Sequence, residues 1–119
     1  MKRDMELIRE IRLAVEEAPS PDDDIELILV DHAPEVVSYH VKLLHQAGLI
    51  EAVDRSTMDE FEWSPRSLTW SGHEFLDAAR SSTVWQKTMS KLKEQAASAP
   101  FEIVKATLMH VYRESFGIG

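Results

Sequence analysis

Apolar residues recur at helical spacing from the start of the chain. Met5, Leu7, Ile8, Ile11, Leu13 and Val15 are apolar, and positions 4, 8, 11 and 15 mark one face, which predicts an amphipathic helix over 4–17. Asp4 suits the N-cap, and Glu6 places negative charge in the first turn. Ala18-Pro19-Ser20-Pro21 stops the helix, because proline lacks the amide donor and restricts its predecessor. Asp22-Asp23-Asp24 reads as a solvated acidic loop; no EF-hand spacing follows it. Ile25 to Val30 is a short apolar run, a strand by its β-branched residues or else a helical turn.

His32-Ala33-Pro34 opens a second helix, with proline in the first turn where a missing donor costs nothing. It runs through Gln46 or Ala47 on a stripe of Val36, Val37, His40, Leu43, Leu44 and Ala47, and Gly48 suits the C′ position. Residues 50–54 and 61–64 predict a hairpin joined by Arg55 to Glu60, with a third extended piece from Ser67 to Thr69 after Pro65. A helix begins in Thr69-Trp70-Ser71-Gly72-His73-Glu74, where Ser71 and Glu74 have the capping-box spacing, and it buries Phe75, Leu76 and Ala79. Ser81-Ser82 breaks it. Helices over 83–97 and 101–115 follow, separated by Ser98-Ala99-Pro100. The first carries Trp85, Thr88, Met89, Leu92 and Ala96 on its stripe. The second points Phe101, Val104, Leu108, Val111 and Tyr112 inward, and Ile103 and Phe116 widen that arc. The surplus breadth predicts a homodimer sealed by the first and last helices.

These elements define an α+β chain, mostly α, as a single domain over 1–119. A winged-helix-like core over 1–80 carries a two- or three-stranded β wing, and a helical extension covers 81–119. Helix, strand, helix ending in glycine, then a two-stranded hairpin is the winged-helix order, and Leu44-His45-Gln46-Ala47-Gly48-Leu49-Ile50 is its diagnostic stretch.

Composition narrows the chemistry. With 119 residues, 44% hydrophobic and 29% charged, the chain is globular rather than disordered. It has no cysteine, so disulfides, thiolate metal sites and a cysteine nucleophile are excluded. Its four glycines, at 48, 72, 117 and 119, are too scattered for a phosphate-cradling loop. No apolar run approaches the roughly 20 residues that span a bilayer, and Met1-Lys2-Arg3-Asp4 lacks a signal-peptide core, so a cytoplasmic protein without membrane attachment is expected.

No catalytic constellation is present, and no enzyme, cofactor or metal is expected. Trp70-Ser71-Gly72 is not a nucleophile elbow, and Ser71 reads as a helix cap. His40 on its apolar stripe reads as a packed histidine bonded to a backbone carbonyl, with a general base or pH switch as the alternative. His73 and Asp77 are four apart but lack a third ligand, and read as a surface pair. Glu16-Glu17 and Glu60-Phe61-Glu62 read as solvated.

Charge is uneven. Residues 1–79 hold 7 Lys/Arg against 18 Asp/Glu, whereas 80–119 hold 6 against 3. On the second helix the outward residues are Glu35, Ser38, Tyr39, Val41, Lys42, His45 and Gln46. In a DNA reader Lys42, Arg55 and Arg66 would meet phosphates, while Ser38, His45 and Gln46 would read bases. The hairpin is acidic, with Glu51, Asp54, Asp59, Glu60 and Glu62.

Several stretches carry a family resemblance: Met1 to Arg9, Ser38 to Ile50 with its Tyr39-His40 pair, Leu68 to Asp77, Thr83-Val84-Trp85 and Pro100-Phe101-Glu102. In these the chain resembles the bacterial and phage family known as domain of unknown function 2513. It departs from that pattern at His32-Ala33-Pro34, where relatives have a Gly-Tyr-Ser type start to the central helix. The resemblance implies a winged-helix-like domain of mobile elements and their hosts, with no activity and no functional residue to carry over. Two functions are therefore expected. The first is a winged-helix regulator that binds DNA as a dimer. The alternative is an acidic protein-interaction module, an adaptor or nucleic-acid mimic, whose carboxylates occupy a partner's basic groove.

Overall fold

The Asp4 carboxylate accepts the amides of Glu6 and Leu7 at 3.0 and 3.3 Å, and this cap starts helix α1 (Met5–Glu16). In the computed structural model, which describes residues 2–18 and 23–116, α1 is followed by α2 (Pro34–Gln46), β1 (Ile50–Asp54), β2 (Trp63–Leu68), α3 (Trp70–Ala79), α4 (Ser82–Leu92) and α5 (Phe101–Ser115). A 3-10 turn, Lys93–Ala97, joins the last two helices. The chain is thus α+β and mostly helical, with one two-stranded antiparallel sheet among the described residues. The expected stop at Pro19-Ser20-Pro21, and Asp22, lie outside those residues.

Glycine closes α2 as its position predicts. Gly48 has φ +76°, donates to the His45 carbonyl at 3.0 Å, and Leu49 donates to the Leu44 carbonyl at 3.0 Å. That pair of bonds is the Schellman motif, and it needs the left-handed conformation glycine adopts without strain. The turn sends the chain directly into β1.

The hairpin departs from expectation at its second strand. β2 is continuous from Trp63 to Leu68, so Phe61 and Glu62 of the expected second strand lie outside it, Ser67 and Leu68 of the anticipated third piece are its far end, and Thr69 caps α3. Glu51 pairs with Ser67 and Ala52 with Pro65, leaving Arg66 as an extra residue in a bulge. Pro65 cannot donate to a ladder, and the bulge beside it absorbs the break in register. Residues 25–29 have no regular secondary structure and form no ladder, and Val30 lies in a turn where the His32 amide donates to the Leu29 carbonyl at 3.1 Å. Among the described residues only the Ile25 amide bonds to β2, at the Pro65 carbonyl, 2.8 Å.

Two helix boundaries also differ from the sequence expectation. Thr69, not Ser71, caps α3: its hydroxyl accepts the Gly72 amide at 3.0 Å and donates to the Gly48 carbonyl at 2.6 Å. Ser71 lies inside the first turn. The helix expected over 83–97 stops at Leu92, where Lys93 takes φ 52°. Arg3 then donates to the Ala96 and Ala99 carbonyls at 2.8 and 2.6 Å, binding the 3-10 turn to the start of the chain.

One apolar cluster joins all five helices. Leu7, Ile8 and Ile11 of α1 meet Val41 and Leu44 of α2, Phe75 of α3, Trp85 of α4, and Val104 and Leu108 of α5. Phe75 stacks on Phe101 at 5.7 Å between centroids and meets Trp85 edge-on at 6.4 Å. Of the surplus expected on α5, Ile103 and Phe116 stay exposed, at 52% and 61%. Met5, Leu7, Ile8, Ile11 and Val15 of α1 are consumed by the chain's own core.

Candidate nucleic-acid interface and the adjoining acidic groove

Helix α2 and the hairpin form the face on which a DNA reader would place its contacts. Ser38 does not lie on it. The side chain is buried, and its hydroxyl accepts the Trp63 amide at 3.1 Å, fastening α2 to the first residue of β2. Val41, expected outward, is fully buried as well. The hairpin covers the flank of α2 that an isolated helical wheel leaves open to solvent.

His45 is half-buried, with its ring 5.5 Å from that of Trp63 and its Nδ1 buried without a hydrogen-bond partner. Lys42 is also half-buried, with Nζ 5.9 Å from the Phe61 ring centroid. Gln46 is exposed. The Ser56 hydroxyl and amide hold the Asp54 carboxyl below the usual carboxylate range, and Lys42 adds to this.

The two hairpin arginines converge on one carboxylate. Arg55 donates to Asp24 at 2.5 Å through its terminal nitrogen and at 2.7 Å through Nε, and the Nε of Arg66 lies 3.3 Å from the other Asp24 oxygen. Asp24 is therefore a clamp for the hairpin, and not simply part of a solvated loop. The bulge turns Arg66 toward it. Sequence spacing did not reveal this triad, because its members lie 31 and 42 residues apart.

The remaining candidates are structural. The Nδ1 of His40 donates to the Val36 carbonyl at 2.8 Å, and its Nε2 accepts the Asp4 amide at 2.7 Å. This assigns the neutral Nδ1–H tautomer and ties α2 to the cap of α1. His73 is exposed, and Asp77 lies 3.7 Å from Arg80. Among the described residues no group of three or more potential ligands is placed to hold a metal ion.

A residue absent from the expected sites is Arg12. It is fully buried in α1, with Nε and both terminal nitrogens lacking partners, and burial pushes its pKa down to about 9. Its position, four after Ile8 and three before Val15 on the inward face, is the signal that could have found it.

Beside α2 the segment 25–30, the start of α2 and the hairpin residues 59–65 line a groove of about 640 Å³. Leu27, Leu29, Val37 and Trp63 are among its apolar lining, and Glu26, Glu35, Asp59, Glu60 and Glu62 supply carboxylates. Among the described residues no lysine or arginine lines it.

Comparison with known proteins places this architecture in a family. The family model described as "Hypothetical protein (DUF2513)" matches residues 2–98, and the chain belongs to that family. A protein of Haemophilus influenzae, described as an uncharacterized protein, is 40% identical over 109 residues, covering 88% of this chain and 90% of that protein. No solved structure matches. Among the described residues no helix is long and apolar enough to cross a membrane.

Proposed function

We propose that this chain is a protein-interaction module whose acidic hairpin and groove receive a positively charged partner. The observation that carries this reading is the Asp24 clamp: Arg55 and Arg66, the hairpin cations a DNA reader would direct at phosphates, both engage a carboxylate of their own chain. Ser38 is occupied by Trp63, and the loop between the strands presents Asp59, Glu60 and Glu62 to solvent. A surface of this sign repels polyanions and attracts basic protein surfaces.

The DNA-binding regulator is the second reading. It is favoured by the helix, glycine turn and hairpin order, and by Gln46 and Lys42 on the face of α2. A homodimer through the first and last helices would have Ile103 on α5 and Phe116 at its C-cap as large exposed apolar side chains.

Titration of labelled mixed-sequence duplex DNA, and separately of labelled oligolysine, at about 50 and about 200 mM salt distinguishes the readings, because phosphate neutralisation is strongly salt-dependent. The module retains oligolysine and ignores DNA, and Glu60→Lys with Glu62→Lys abolishes retention. Tight, salt-sensitive DNA binding that Lys42→Glu removes would establish the regulator instead.

A further inference from the structure

Residues 25–30 alternate in burial although they belong to no strand. Ile25, Leu27 and Leu29 turn inward and are half-buried, while Glu26, Ile28 and Val30 turn outward, with Ile28 77% and Val30 94% exposed. This alternation is that of a strand. Yet the amides of residues 26–30 donate no hydrogen bond among the described residues, and the segment meets β2 only through Ile25. The gap between segment and hairpin is the groove, floored by apolar side chains and rimmed by five carboxylates. A segment with strand-like burial alternation and unpaired amides, beside apolar side chains, is an arrangement on which a peptide adds as a strand.

We infer that this groove binds an extended peptide segment of a partner protein, with alternating lysine or arginine and apolar residues, by strand addition along residues 26–29. Main-chain bonds to the segment supply the pairing. Apolar side chains enter between Leu27, Leu29, Val37 and Trp63, and cations meet Glu26, Glu35 and Glu62. Charge decides the occupant. Nucleic acid is repelled by the rim, and a second copy pairing through the same groove would set its own carboxylates against these five. The inference rests on the interaction-module reading and specifies the partner's chemistry.

The test uses the full chain and three labelled, end-blocked octapeptides. One alternates lysine and valine; one has glutamate for lysine; one keeps the lysines and valines but carries N-methyl groups on alternate amides. Binding is followed by anisotropy at about 50 mM salt, where electrostatic association is strongest. Amide hydrogen exchange of residues 26–29 is read in parallel. The expected result is binding of the lysine peptide with at least tenfold slower exchange at 26–29. No binding of the glutamate peptide, and at least tenfold weaker binding of the N-methylated one, complete it. Glu26→Lys with Glu62→Lys, both on exposed positions, should weaken the lysine peptide at least tenfold without altering the unfolding midpoint. Equal binding of the N-methylated peptide would overturn strand addition while leaving the acidic module standing. Failure of every peptide, with salt-sensitive DNA binding in its place, would overturn both. A concentration-dependent dimer that protects 26–29 without peptide would make a second copy the occupant and overturn the inference.

Discussion

The guanidinium carbon of Arg12 lies 3.5 Å from the centroid of the Phe75 ring, a fully buried cation over a fully buried aromatic face. The ring supplies an attraction of about 2 kcal/mol at a desolvated site. It supplies no acceptor, and the Nε and both terminal nitrogens have no hydrogen-bond partner. Their desolvation is uncompensated, at several kcal/mol for a buried ion.

Replacing Arg12 with methionine should therefore stabilise the protein. Methionine keeps much of the length and flexibility of the side chain and removes the unsatisfied donors, and such exchanges of buried ions for apolar residues raise stability by about 1–4 kcal/mol. Urea unfolding of both proteins measures it. A lower midpoint for the variant would mean that the guanidinium contributes more than it costs.

The same residue sets a pH dependence. Burial lowers Arg12 from the ordinary arginine range to about 9, so from about 9 upward the unfolded chain binds more protons than the folded one, and folding stability rises with pH. Below that window the charge is present in both states and the full penalty applies. The gap between Arg12→Met and the natural chain should narrow by about 1.4 kcal/mol per pH unit above 9. Unfolding at pH 8 and pH 10.5 tests it; a constant gap means the cation stays charged in the core.

The two described glycines should respond differently to alanine. At Gly48 the cost is backbone strain at φ +76°, about 1–3 kcal/mol, because nothing lies within 4 Å of an added Cβ. At Gly72 an added Cβ would sit 2.0 Å from the Leu49 carbonyl oxygen, a backbone atom also bonded by the Thr69 amide. Gly72→Ala must separate α3 from the α2–β1 turn, and should cost more than about 3 kcal/mol. Equal midpoints for the two variants would refute this ranking.

His40→Ala should destabilise by about 2–4 kcal/mol, combining a core cavity with the loss of two hydrogen bonds. The damage should extend to α1, whose Asp4 amide loses its acceptor. Hydrogen exchange at Asp4 faster than in the natural chain, measured relative to Val41, would show the local effect.

Much of the fold was legible because it rests on local rules. The Asp4 cap, Pro34 in the first turn of α2, the Gly48 corner and the hairpin all follow from spacing and turn chemistry. His40 was legible too, since a histidine on an apolar stripe can satisfy itself on the carbonyl four residues back. What escaped were relations made by tertiary packing. Ser38 looked outward on a helical wheel, but the wheel cannot know that β2 would lie against it. Asp24 looked solvated until the hairpin brought two arginines to it. Lys93 ended α4 early at a left-handed residue without glycine or proline to announce it. The groove was unreadable because it is lined by residues 25–30, the start of α2 and the hairpin, which only the tertiary fold brings together.

Arg3 reaches the carbonyls of Ala96 and Ala99, and the Trp85 indole donates to Glu6 at 2.5 Å, so the first residues close loops of 93, 96 and 79 positions. Loops of that length raise contact order, and ordering entropy is spent before such distant contacts return any stability. The inner face of α1 is covered in two stages: α2, β2 and α3 supply its main neighbours, and the α4 and α5 side chains complete the same cluster. A nascent chain halted at residue 80 would present Leu7, Ile8 and Ile11 without the Trp85, Val104 and Leu108 side chains that share their cluster. That cluster is thus completed only when α4 and α5 dock, a delay during which its unfinished apolar surface invites chaperones or self-association.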